Sequence, residues 1–166
     1  MLTVRDQHTI HADLTSVFAC VWNAELWPRI TPHVQRIEML EAGERSQRFL
    51  MTVLANGTAH TVESVREAIP DQRVVYHQTR PPVFLTTHEG EWNFQPVADG
   101  VRIELIHRAA VDYDKALTAL QVDSPAAADE VIRQTLKANG ARTLLAIKAY
   151  LEASGPWVSA SVQTRS

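Results

Sequence analysis

Six strand-like runs follow one another between Val34 and Val111 with no helical pattern among them, and one long helical run comes after. The runs are "VQRIEMLE", "SQRFLMTVLA", "TAHTVESVREA", "RVVYHQTR", "TTHEGEWNF" and "GVRIELIHRAAV". Short stretches separate them: "AGE", "NG", "IPDQ", "PPVF" and "PVADG". Links this short suit hairpins, because a parallel pair needs a crossover of roughly a dozen residues or more. Asn56-Gly57 carries the strongest turn signal of the set. The pattern predicts an antiparallel meander.

Ser124 and Pro125 read as an N-cap and a first helical residue. Ala128, Ile132, Leu136, Gly140, Leu144, Ile147 and Leu151 then recur at spacings of four and three, which places them on one helix face. Ser154-Gly155-Pro156 stops the helix near Ala153. Upstream, "TVRDQHTIHA" reads as a first strand, and Asp13 caps a short helix over "LTSVFACVWN". Trp27-Pro28 is then expected to turn the chain, since the residue before a proline avoids the helical region. The order is strand, short helix, six strands, long helix. It predicts an α+β helix-grip fold, in which a curved seven-stranded antiparallel sheet wraps a long C-terminal helix and encloses a cavity. One domain is expected over residues 1–154, with 155–166 as a flexible tail.

Composition removes several function classes. Net charge is −3 without a Lys/Arg run, so nucleic acid is not an expected partner. The apolar runs fall far short of the ~20 residues that cross a bilayer. No basic stretch precedes an apolar run at the N-terminus, and the cytoplasm is the expected compartment. The single Cys20 cannot form an internal disulfide and lies in the apolar run "SVFACVW". The seven histidines show no metal-ligand spacing, and neither metal nor cofactor is expected.

Strand parity assigns side chains to faces. In the last strand Val101, Ile103, Leu105, His107 and Ala109 share the apolar, inward face. In "TAHTVESVREA", Glu63 and Glu67 mark the solvent side, which turns His60, Val62, Ser64 and Arg66 inward. The same test turns His88, Gly90, Trp92 and Phe94 inward, with Val74, Tyr76 and Gln78 from the strand before. Gly140 interrupts the helix stripe and leaves volume, flanked by Asn139 and Thr143. A buried guanidinium needs a partner, and parity supplies no inward carboxylate for Arg66. So many inward polar groups exceed what a solid core accommodates, and a roomy, wet, amphipathic pocket accounts for them.

The pieces "LWPRI", "VESVREAIPDQRVVYHQ", "GEWNF", "ELIHRAAV" and "KANGARTLLAIKAYLE" occur in an order that resembles the aromatase/cyclases of bacterial aromatic polyketide synthesis, in the START-like helix-grip superfamily. The resemblance runs from Val4 to Leu151. It implies that a poly-β-ketone on an acyl carrier protein enters the cavity for regiospecific aldol cyclisation and dehydration. By resemblance Arg66 would bind ketone oxygens, and His107 would be the general acid/base. His60, Ser64, Tyr76, His88, Trp92, Phe94, Asn139, Thr143 and Trp27 would contact substrate, with Trp27 and Pro28 stiffening the cavity mouth and His33 lining it. Some relatives carry an aspartate on the last helix where Thr143 stands here, and some a tryptophan near Val62. A monomer or weak homodimer is the expected state. A second reading remains open at this level: a non-catalytic binder or carrier of a lipid, quinone or polyketide.

Overall fold

A computed structural model describes residues 1–55 and 57–153. The expected strands form one seven-stranded antiparallel sheet: β1 (Leu2–Ile10), β2 (Val34–Ala42), β3 (Ser46–Ala55), β4 (Thr58–Ile69), β5 (Arg73–Arg80), β6 (Leu85–Val97) and β7 (Gly100–Val111). Their order is β1-β7-β6-β5-β4-β3-β2, a meander with β1 added beside β7. Gly57 turns β3 into β4 with φ +77°, a backbone region that glycine enters without penalty. The tail from residue 155 lies outside the described residues.

The helices are α1 (Leu14–Trp22), α2 (Trp27–Ile30), α3 (Tyr113–Ala119) and α4 (Pro125–Ala153), with a 3-10 turn over Ala24–Leu26. Asp13 caps α1 by accepting from the Ser16 amide. All seven residues of the α4 stripe are buried, and the helix packs chiefly along β1. Two expectations need correction. Trp27-Pro28 opens a short helix rather than a bare turn, with Trp27 at φ −57°, ψ −41°. Proline fits the first turn of a helix because no amide is needed there. Thr31 closes that turn, donating from both its amide and its hydroxyl to the Trp27 carbonyl. Glu63 does face away from the cavity, but Arg80 at 2.7 Å and Arg48 at 3.3 Å cover it. A carboxylate paired with two guanidinium groups tolerates that shielding.

Strand register aligns the polar residues of the inner face. Gln47, Arg66, Tyr76, Gly90, His107 and Val4 pair in succession across β3, β4, β5, β6, β7 and β1. They form one row across the sheet, with neighbours about 4.8 Å apart in the hydrogen-bonding direction. The adjacent row runs through Val74, Trp92, Leu105 and Asp6.

Candidate active site

The curved sheet and α4 enclose a cavity lined by Arg66, Tyr76, His88, Trp92, His107 and Gly140, among others. It offers about 150 Å³ to the centres of water-sized molecules. One water needs roughly 10–15 Å³ on that measure, so the space is a real chamber rather than a packing flaw. His60, Ser64, Gln78, Asn139 and Thr143 also reach it, as parity and the helix stripe required, and so does Trp27. Phe94 does not. It is buried against Phe18 of α1, 5.3 Å between ring centroids. Parity turned Phe94 to the correct face, but α1 covers that end of the sheet before the cavity begins.

Trp27 stands elsewhere than expected. It is buried, its indole N–H donates to the Cys20 carbonyl, and its ring lies 5.8 Å from that of Trp92. Together with Phe49 and Arg66 it makes the closed floor. The half-exposed lining residues His60, Pro82, Phe84 and Leu120 mark the opposite end. His60 and Arg66 are six residues apart on β4, or roughly 20 Å, so mouth and floor are well separated. His33 is buried rather than at a rim, with Nε2 3.1 Å from the Thr143 hydroxyl.

Arg66 finds partners that parity could not supply. It donates from Nη1 to the Val21 carbonyl at 3.0 Å and from Nη2 to the Trp22 carbonyl at 2.8 Å. Nε and Nη2 also donate to Gln47 Oε1. Val21 and Trp22 end α1, where carbonyls lack helical partners and the dipole is negative. The guanidinium therefore caps a helix from across the sheet. Trp22, Trp27 and Phe49 surround it, with ring centroids 5.1–5.3 Å from its carbon. Burial pushes its pKa down to about 9, still above neutral pH, so the charge is retained. Of five N–H groups, these bonds use four. One Nη1 hydrogen is not used by them.

A polar chain crosses the wall further along. His88 Nδ1 meets Gln78 Oε1 at 2.9 Å, and His88 Nε2 meets the Tyr76 hydroxyl at 3.2 Å. The same hydroxyl is hydrogen-bonded to His107 Nδ1. Gly90 makes this possible, because a Cβ there would stand 2.8 Å from the Tyr76 oxygen. Burial lowers His88 to about 4. Burial, helped by His88 itself, lowers His107 to about 3. Both rings are thus neutral at pH 7 and can accept protons. Burial raises the Tyr76 phenol. Among the described residues no three His, Cys, Asp or Glu side chains gather as a metal would require.

Sequence reasoning missed one inward carboxylate. Asp6 is buried on β1, on the same face as Leu2 and Val4. The alternation "L-x-V-x-D" contained the signal, since Asp6 shares the parity of the two apolar residues. Its Oδ1 pairs with Lys137 of α4 at 3.0 Å.

The chain is 31% identical over 130 residues to the granaticin polyketide synthase bifunctional cyclase/dehydratase of Streptomyces violaceoruber, covering 76% of this chain and 40% of that protein. It spans less than half the length of the curated relatives it matches. Among solved structures it superimposes on BexL, a di-domain ARO/CYC from the BE-7585A biosynthetic pathway, with TM-score 0.83 and 31% identity. That match covers 91% of this chain and 50% of BexL. The Zhui aromatase/cyclase from Streptomyces sp. R1128 shares the fold, with TM-score 0.81 at 22% identity over 93% of this chain and 94% of the other. With a family model matching residues 1–152, the chain belongs to the polyketide cyclase/dehydrase and lipid transport family.

Proposed function

We propose that this chain is a polyketide cyclase/aromatase domain, which takes a poly-β-ketone presented by an acyl carrier protein and directs its aldol cyclisation and dehydration. The observation that carries this reading is the neutral His88–Tyr76–His107 chain in the wall of an amphipathic cavity that also holds Arg66. A methylene between two ketones is acidic enough for a neutral imidazole to act on. Its proton passes to the Tyr76 oxygen as the Tyr76 hydroxyl proton moves to His107 Nδ1. The enolate charge is held by Arg66, which lies one strand from Tyr76 in the same row and lines the same cavity. The enolate carbon attacks a second ketone carbon, and the resulting alkoxide takes the proton back through Tyr76. In dehydration the relay removes a further α-proton and delivers it to the departing hydroxyl, which leaves as water. The relay ends as it began, and the residues named supply both proton transfer and charge stabilisation.

The second reading is a binder of hydrophobic molecules. Two observations favour it. The family description includes lipid transport, and four of the five Arg66 N–H groups are already spent on the protein. Reconstitution with a minimal polyketide synthase separates the two. Adding the wild-type chain is expected to replace spontaneous shunt compounds with one aromatic product. An unchanged product profile from folded protein would leave only the binder.

A further inference from the structure

Two buried polar atoms near the relay lack a partner among the described residues: Asp6 Oδ2 and His107 Nε2. Both lie over Gly140 of α4. A Cβ at residue 140 would stand 2.7 Å from Asp6 Oδ2 and 3.4 Å from His107 Nε2. The two atoms are therefore no more than about 6 Å apart, and no hydrogen bond joins them directly. One water hydrogen-bonded to both spans roughly 5–6 Å. Register supports the pairing, because Val4 sits opposite His107 and Asp6 is the next residue along β1 on the same face. Glycine in a helix interior costs about 1 kcal/mol relative to alanine, and here it leaves the notch open.

We propose that Asp6 is the carboxylate partner of His107, joined to it by one water seated in the Gly140 notch, and that it positions the ring and stabilises its protonated form. The proposal deepens the cyclase reading and rests on it for its catalytic consequence, though the bridge itself does not. When His107 gains a proton on Nδ1 from the Tyr76 hydroxyl, Nε2 carries the other proton. Nε2–H then donates to the water, and the water donates to Asp6 Oδ2. No bond beyond these hydrogen bonds forms, and the proton returns by the same route. The carboxylate thereby enters from β1, on the opposite side of the ring from Tyr76. It supplies what Thr143 cannot, since the Thr143 hydroxyl is engaged by His33 and by the Asn139 carbonyl. The charged or titratable groups facing His107 are Asp6 on β1, Tyr76 on β5, His88 on β6 and, through Asp6, Lys137 on α4.

The test is the His107 imidazole titration by NMR in the intact chain, read without substrate and in sulfate, which strengthens burial and offsets the acid destabilisation so that the chain stays folded through the titration. Asp6→Asn is expected to lower the His107 pKa by roughly 1 unit, as loss of a nearby opposite charge does. Because that variant strands Lys137, the double variant Asp6→Asn/Lys137→Gln is measured too, and the shift is expected to persist. Gly140→Ala fills the notch and is expected to lower the pKa in the same direction with both charges intact. It also serves if the Asp6 variants fail to fold. A His107 titration unchanged in folded Asp6→Asn/Lys137→Gln, or unchanged in Gly140→Ala, overturns the bridge. In cyclisation assays Asp6→Asn is expected to move the acid limb of the pH–rate profile to lower pH while kcat falls. A titration shift in a chain whose wild type forms no cyclised product would sink the cyclase reading and leave the bridge standing.

Discussion

His107 meets His88 both directly, Nδ1 to Nε2 at 3.3 Å, and through Tyr76. The phenol hydroxyl touches both rings, and Gly90 clears the space in which it does so. Burial holds the two imidazoles neutral, and His33 is held the same way, down to about 4, by burial and the nearby Arg142. These shifts make a stability statement. An unfolded histidine titrates near ~6.5, whereas His33, His88 and His107 are depressed toward about 4, 4 and 3. Below the unfolded value the unfolded chain binds more protons, so stability is full above ~6.5 and is lost as pH falls toward the folded values. Each such histidine contributes a slope of up to ~1.4 kcal/mol per pH unit in that window. Urea melts from pH 7 to 4.5 should show midpoints that fall steeply below 6.5. The fall should be shallower in His88→Gln, which removes one of the three groups. A flat midpoint across that range would contradict the buried, neutral assignment.

At the scale of elements, Arg66 ties β4 to the end of α1. Parity on β4 made its inward direction legible, because Glu63 and Glu67 fixed the other face. Its partners were not legible, because backbone carbonyls at a helix end carry no sequence signature. Strand bounds and the α4 stripe were readable for the same reason that His107 was: period 2 and period 3.6 are local. Trp27 was misplaced because a local rule about residues before proline was overridden by its packing on Trp92 and its bond to Cys20. Asp6 was missed although its parity was readable. Arg66→Ala strands the Val21 carbonyl and Gln47 Oε1, leaves the Trp22 carbonyl with the Gln47 amide alone, and empties an aromatic cage. One buried unsatisfied acceptor costs about 1–3 kcal/mol. A loss near 3 kcal/mol is expected, or roughly 6–12 °C in Tm for a domain of this size. Thermal melts check it. A variant as stable as wild type would mean that the helix cap contributes nothing, and it would return Arg66 wholly to ligand binding.

For the whole molecule, the helix-grip arrangement separates mouth from floor. In the proposed reading, a long chain entering past His60 and Phe84 meets His88 first and then the row that holds Tyr76, His107 and the cationic Arg66. The surrounding lining includes Val34, Phe49, Met51, Val62 and Leu105, an apolar surface suited to a hydrophobic ligand. The element order carried this architecture, whereas the position of the mouth depended on how α1 and α2 close one end. The central claim is that the relay performs the chemistry and does not merely line a container. Tyr76→Phe tests it most directly, because it deletes one oxygen, keeps the ring, and removes the hydroxyl through which the proposed relay moves protons, while the direct His88–His107 contact stays. The measurement is the ratio of directed aromatic product to shunt compounds from a reconstituted minimal polyketide synthase, with folded wild-type and Tyr76→Phe chains at equal concentration. The account predicts a fall in the directed-product rate of about 10²-fold or more, with shunt compounds taking its place. Wild-type ratios from folded Tyr76→Phe would contradict it.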